Sequence, residues 1–515
     1  MKCFARLLSL AFALMVAAEQ FTNPVIWEDL ADVDIFRVDN VFYLSASTMH
    51  YSPGAPVLQS YDLVNWQFIG HSVPVLDWSS KYDLTNGQRA YVKGIWASFL
   101  NYRPSTKTFY WGGCIEFGTT YIYTAPAAAG PWTKRSSIPK CYYDAGLLVD
   151  PDTDTMYVAY GNTEISVAQL SADGLSEVRS QVVFTSPSSI GTIEGSRFYK
   201  INGKYYIFVT HPANGQYVLQ ASSPWGPYTA KQLLLNMPTP ISGGGVPHQG
   251  GMVQTQNGAW YYMAFVDAYP GGRVPVLAPI TWGSDGFPVI TTVNGGWGSS
   301  YDYPLPKRVL EPASVQDNFS GTSLGPQWEW NHNPDKSKFT VNNGLQLQTA
   351  TQTWDLYSAR NTLTHRILGP KSTATIVMDY SQMKPGDRAG LALLRDQSAW
   401  IGIKNDGGTF RVCMITGLTM NSDWTTANTG YEVAGLTVTG GKIWLRATAD
   451  IHPGSGKQGT FSYSTDGSTF KSLGNALVLN NAWQFFMGYR YAIFNYATTS
   501  LGGSVKVSQF NMNLA

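Results

Sequence analysis

The sequence predicts an all-β protein, a five-bladed β-propeller followed by an antiparallel β-sandwich. A tight turn leading into a short aromatic strand occurs five times, marked by Tyr43, Tyr110, Tyr157, Tyr206 and Tyr262, at intervals of 67, 47, 49 and 56 residues. The turns are Asp39-Asn40, Ser105-Thr106-Lys107, Asp152 to Asp154, Asn202-Gly203 and Asn257-Gly258. Such turns match the twist of paired strands, and a repeat of about 40–50 residues is the period of a propeller blade. From Asp317 the phrase is gone and alternating strands follow, as at Thr373 to Tyr380, Ala389 to Leu394, Trp444 to Ala449 and Gly459 to Ser464. That texture predicts an antiparallel β-sandwich.

In chain order, Lys2 and Arg6 precede an apolar run from Leu7 to Val16 and then Ala17-Ala18. This is a secretory signal pattern, residues 1–18, too short for a membrane span. The propeller is expected over residues 19–310, with Val274 to Trp282 closing the ring. Pro304, Pro306 and Pro312 mark a short linker, and the sandwich is expected over residues 317–515. Its Trp400, Tyr489, Tyr491 and Tyr496 read as exposed aromatics on a domain that docks beside the propeller. Secretion permits disulfides. Cys114 and Cys141 are candidates for a bridge, which geometry must decide, and Cys413 is left as a buried thiol. Asn318-Phe319-Ser320 is a glycosylation sequon.

Charged residues are only 13% of the chain and the formal net charge is +1, which argues against a nucleic-acid surface. No later apolar run reaches membrane-span length. Aromatics reach 14%; most belong in sheet cores, and the rest suit stacking on sugar rings. The expected partner is therefore a glycan, with no nucleic acid, no membrane and no second subunit required.

The positions 11 to 14 residues before each marker tyrosine hold Asp32, Trp96, Asp144, Glu194 and His248. If the first strand of each blade lines the channel, these side chains converge at one mouth. Each acid alone could be structural, with Asp32 capping a turn or Glu194 pairing with Arg197. Three acids at equivalent positions point to chemistry. Cleaving a glycosidic bond takes a carboxyl that protonates the leaving oxygen and a second that activates water, and a third nearby raises the acid's pKa by repulsion.

These residues carry a family resemblance. Asn23-Pro24-Val25, Ala31-Asp32-Val33-Asp34-Ile35-Phe36-Arg37-Val38, Pro53-Gly54-Ala55-Pro56 and Tyr61-Asp62-Leu63-Val64-Asn65-Trp66 resemble the opening of glycoside hydrolase family 43. Gly94-Ile95-Trp96-Ala97, Tyr143-Asp144-Ala145-Gly146, Ile193-Glu194-Gly195-Ser196 and Gly272-Arg273-Val274-Pro275 resemble its later inner segments. The set covers nearly all of residues 22–310. It implies Asp32 as general base, Glu194 as general acid, Asp144 as pKa modulator and inversion at the anomeric carbon. Residues 317–515, with Arg360-Asn361-Thr362-Leu363-Thr364, resemble the family's appended jelly-roll, concanavalin-like sandwich. Val33 and Asp34 stand where a Pro and a Ser are usual, which makes Asp34, two residues on and on the same strand face, a rival base. Ser98 likewise stands where a proline is usual.

Around the acids, Trp96 is a candidate floor for the sugar and Tyr143 a rim residue. His248 could bind water or a structural cation, although no cofactor is required. Arg273 is a candidate fork for two hydroxyls, and His50 faces either the aglycone or solvent. Together with Trp27 to Asp32, these features are most similar to the family's fungal α-L-arabinofuranosidases, with β-xylosidase as the alternative. Retaining fructosidases would need an Asn-Asp-Pro-Asn strand that is absent. A non-catalytic sugar-binding propeller would not need three mutually repelling carboxylates.

Overall fold

The computed structural model describes residues 19–310 and 315–515; the expected signal segment 1–18 and Pro312 of the expected linker lie outside them. Five four-stranded antiparallel sheets form the propeller, each from one contiguous stretch of chain. Their first strands are Ala31–Val38, Phe99–Arg103, Gly146–Val149, Glu194–Ile201 and His248–Gln254. These pack against one another around the axis. Each marker tyrosine lies in the second strand of its blade, just after the expected turn. Among the described residues only short 3-10 turns interrupt the strands, and no helix is long and apolar enough to cross a membrane.

Ring closure differs from expectation. Arg273–Trp282 is the third strand of blade 5, not a closing strand. The ends of the propeller are instead tied by Gln20–Thr22 pairing with Ser300–Asp302. Cys114 and Cys141 form a disulfide that joins the second strand of blade 2 to the segment entering blade 3, while Cys413 is buried and its thiol is pushed up to about 12.

The C-terminal domain is a sandwich of a nine-stranded and an eight-stranded sheet. The eighth strand of the second sheet, Tyr51–Ser52, comes from the propeller and pairs with Trp328–Asn331. That sheet is covered on both sides. One face packs into the sandwich core, and the other joins Met49, Tyr51, Leu84, Tyr91 and Val92 of the propeller in a shared apolar cluster. Its central strands Asp387–Leu394 and Arg490–Ala497 are therefore buried at every position and do not alternate. Trp400, Tyr489, Tyr491 and Tyr496 are buried for the same reason, contrary to their reading as exposed. Burying such side chains contributes about 1.5–3 kcal/mol each, so the seam is a core and not a tether.

Charge pins the same seam. Glu329 in the sandwich receives Arg366 Nη1 at 3.0 Å, Arg490 Nη1 at 2.6 Å and His71 Nε2 of blade 1 at 3.0 Å. Burial opposes its charge, but the Arg366 and Arg490 guanidiniums, and then the hydrogen bond to His71, hold its carboxyl well below the usual range.

Candidate active site

The chain enters three of the inner strands through a β-bulge. Ala31 pairs with Ser47 but Asp34 with Ser45; Glu194 pairs with Thr210 but Arg197 with Phe208; His248 pairs with Phe265 but Gly251 with Met263. Two residues thus face one, and the first extra residue is left-handed in each case: Asp32 (φ 56°), Gly195 (φ 70°) and Gln249 (φ 43°). Asp144 (φ 49°) enters blade 3 in the same conformation. Asp32 and Asp144 are therefore equivalent to Gly195 and Gln249. Glu194 and His248 sit one residue earlier, so the expected equivalence of the acids was off by one there. The offset brings the three carboxyls to one pocket from different directions. A Cβ at Gly195 would lie 2.9 Å from the Gln249 side chain, so lack of space, on top of the left-handed backbone, favours glycine there.

Asp32, Asp144 and Glu194 line one cavity of about 260 Å³ with Trp96, Tyr143, Phe117, Gln249, Arg273 and Phe486. Asp32 is 4% exposed, and both its oxygens are held: Arg273 Nη1 donates to Oδ1 at 2.9 Å and Ser47 Oγ to Oδ2 at 2.5 Å. Glu194 is held on a single oxygen, Oε2, by Tyr143 OH at 3.0 Å and Asn162 Nδ2 at 2.6 Å. Both donors sit on Oε2, and among the described residues no side-chain donor is placed on Oε1. Burial, then Glu194 and Asp32, push the Asp144 carboxyl well above its usual range. Like-charge repulsion among the three acids is thus part of that shift.

The sandwich completes the pocket. Its turn Trp483–Phe485, ending at Phe486 (φ 60°), reaches over the propeller mouth. The Phe486 ring stands edge-on to Trp96 at 4.9 Å, and its carbonyl accepts from Arg273 Nε at 3.2 Å. Asp29 fixes this junction by accepting from the backbone N–H of Arg273 at 2.8 Å and of Gly488 at 2.9 Å. A second cavity, of about 500 Å³, shares Glu194, Gln249, Arg273 and Phe486 with the first and adds His248, Phe265, Asp267, Tyr269 and Trp483.

The profile of glycosyl hydrolases family 43 matches residues 21–288. The chain belongs to glycoside hydrolase family 43. Residues 316–513 match the β-xylosidase C-terminal concanavalin A-like domain. A solved family 43 enzyme, engineered in its active site to display both endo-xylanase and exo-arabinofuranosidase activity, is 48% identical. The match covers 96% of this chain and 100% of that one, with a TM-score of 0.94. A β-xylosidase of Formosa agariphila is 28% identical over 95% of this chain and 90% of its own. A non-reducing end α-L-arabinofuranosidase of Bacteroides ovatus is 28% identical over 77% and 78%. The protein is thus a glycoside hydrolase.

Within this family 43 site, Asp32, Asp144, Glu194, Trp96, Tyr143 and Arg273 come together as the sequence led us to expect. His248 lies in the neighbouring cavity. Its Nδ1 is 2.8 Å from the Val246 carbonyl, which leaves Nε2 as an acceptor for water or a ligand. Among the described residues no group of three His, Cys, Asp or Glu is placed to hold a metal.

Three expectations need correction. Asp34 does not share the pocket with Asp32, because the bulge breaks the two-residue alternation. Its carboxyl instead lines the far end of the channel, accepting from Leu100 N at 2.9 Å. His50 faces neither aglycone nor solvent. It is fully buried in the domain seam between Tyr51, Tyr91 and His332, where burial and then His332 and Arg490 drive its pKa well down. Arg273 is not a free two-hydroxyl fork, since Nε and Nη1 bind Phe486 O and Asp32, leaving buried Nη2 unpartnered. Ser98 has a local role, its hydroxyl accepting from Trp111 Nε1 at 3.1 Å.

Sequence reasoning missed Ser47, Phe117, Asn162, Gln249 and Phe486. Ser47 and Asn162 end second strands, at positions that the marker tyrosines fixed and that could have been searched. Phe117 and Phe486 sit in irregular turns at positive φ, without periodic signal.

Proposed function

We propose that the protein is a secreted, inverting exo-glycosidase that releases terminal α-L-arabinofuranose side groups from arabinoxylan or arabinan. The observation that carries this reading is the small pocket closed by Phe486, with three carboxyls around the space for one sugar ring. In this reading Asp32, paired with Arg273, takes a proton from water as general base. Glu194 gives the proton on Oε1 to the leaving oxygen. Asp144, whose carboxyl is pushed up by burial and by its two acidic neighbours, is the pKa modulator beside Glu194 and orients the sugar. Unpartnered Arg273 Nη2 is a donor for a sugar hydroxyl. Trp96 and Phe117 supply apolar walls and Tyr143 sets the rim. No cofactor enters these steps. The N-terminal signal pattern and the Cys114–Cys141 disulfide support an oxidising, extracellular setting, and the enzyme is read as a monomer.

The 48% identical relative with exo-arabinofuranosidase activity favours arabinose. A β-xylosidase is the second reading, favoured by the names of two relatives 27–28% identical to this chain. The test is the monosaccharide released from arabinoxylan and from xylobiose. Arabinose from the first with no xylose from the second is expected; xylose from xylobiose alone would select the second reading.

A further inference from the structure

Arg197 is the third residue after Glu194, and its side chain is 1% exposed in the channel beneath the pocket. No proton-transfer step uses it. Its guanidinium donates to four carbonyls: Asp32 from Nη2 at 2.6 Å, Val33 from Nε at 3.2 Å, and Ala145 and Ser196 from Nη1 at 2.9 Å each. Asp32 and Val33 are the extra residues of the blade 1 bulge, Ser196 is an extra residue of the blade 4 bulge, and Ala145 follows Asp144 at the entry to blade 3. A bulge leaves the ladder locally unpaired, and a buried carbonyl must find a donor. Here four such carbonyls turn to one cation.

The cation is balanced by Asp34, 3.4 Å from Nε, whose other oxygen is bonded to Leu100 N of blade 2. The hub thus ties four blades together directly under the acids. Ser196 N also donates to Asp144 O at 2.8 Å, so the blade 3 and blade 4 entries are bonded to each other as well.

We propose that Arg197 is a positioning residue for hydrolysis, holding the backbone segments that carry Asp32, Asp144 and Glu194 in one fixed relative geometry. The proposal rests on the roles assigned above to those three carboxyls. It makes two demands that a merely structural arginine would not meet. Arg197 lines neither cavity beside the acids, so its loss lowers kcat and leaves KM nearly unchanged. It places the base as well as the acid, so the loss reaches substrates with good leaving groups as well as those with poor ones.

The test is steady-state kinetics of Arg197→Lys in the full chain, on a natural oligosaccharide and on whichever aryl pentoside the wild type cleaves. Lysine keeps the charge but has a single nitrogen for four carbonyls. A displacement of about 1 Å costs about 10²-fold, so kcat should fall by about that factor on both substrates, with KM within about threefold. Arg197→Met/Asp34→Leu removes both charges and leaves neither buried alone; it should show the same kcat loss with a retained near-UV circular dichroism spectrum. Either variant folded with kcat within threefold of wild type overturns the proposal. So does a loss confined to KM or to poor leaving groups. Failure of the triad reading itself is separate, since it would show as turnover retained in Asp32→Asn.

Discussion

Phe486→Ala removes a ring that the sandwich lends to the sugar pocket. The ring stands 4.9 Å from Trp96, 5.3 Å from Trp483 and 5.7 Å from the Arg273 guanidinium, and it lines both cavities. The backbone carbonyl that holds Arg273 Nε survives the substitution, so the Asp32–Arg273 pair should stay in place. What is lost is apolar wall against the sugar. Part of a phenyl face corresponds to about 1–2 kcal/mol, or a fall of about 5–30-fold in kcat/KM. A wall contacts the sugar in the ground state and the transition state alike, so the change should lie mainly in KM. Initial rates on an aryl arabinofuranoside across a range of concentrations give both constants, and a melting curve checks the fold. An unchanged kcat/KM in a folded variant would refute the claim that the sandwich completes the pocket.

Asp32→Asn should abolish turnover on natural and aryl substrates alike, whereas Asp34→Asn should retain measurable activity because its carboxyl lies on the far side of Arg197. The opposite ranking in initial-rate assays would reverse the assignment of the base. Glu28, buried at the domain seam, has its carboxyl pushed up to about 7, by burial first and then by Glu329, against the lowering effect of Arg366 and Arg490. Its native pKa is above the unfolded value, so its contribution to stability is complete below pH about 4.5 and is lost as pH rises through about 7, up to about 3 kcal/mol. Melts from pH 5 to 8 should fall less steeply for Glu28→Gln than for wild type, and parallel curves would contradict the shift.

Much of the fold was legible because the turn chemistry before Tyr43, Tyr110, Tyr157, Tyr206 and Tyr262 is local. Asn-Gly and Asp-rich turns need no distant partner to specify a hairpin, and each tyrosine landed in a second strand. The acids were legible for the same reason, by counting back to the inner strand. The one-residue offset at Glu194 and His248 was not, because a bulge is set by strand pairing and leaves no period in the sequence. The same bulge separates Asp32 from Asp34. His50 and the buried aromatics of the sandwich were misplaced because Tyr51–Ser52 crosses into the other domain's sheet, and a donated strand is invisible until both partners are seen. Phe486 could not be placed for a related reason: it belongs to the other domain, far along the chain from the propeller residues it touches, and acts through a left-handed turn.

The central claim is that Glu194 is the proton donor and Asp32 the water-activating base of one acid–base pair. The most direct test compares Glu194→Gln with wild type on a natural linkage and on an aryl pentoside with a good leaving group. Glutamine keeps the shape and can keep its contacts to Tyr143 and Asn162, but it has no transferable proton. Turnover of the natural linkage should fall by about 10²–10⁴-fold, the usual worth of general acid catalysis, while the activated substrate, which needs little protonation, should lose far less. An equal loss on both substrates would contradict the account.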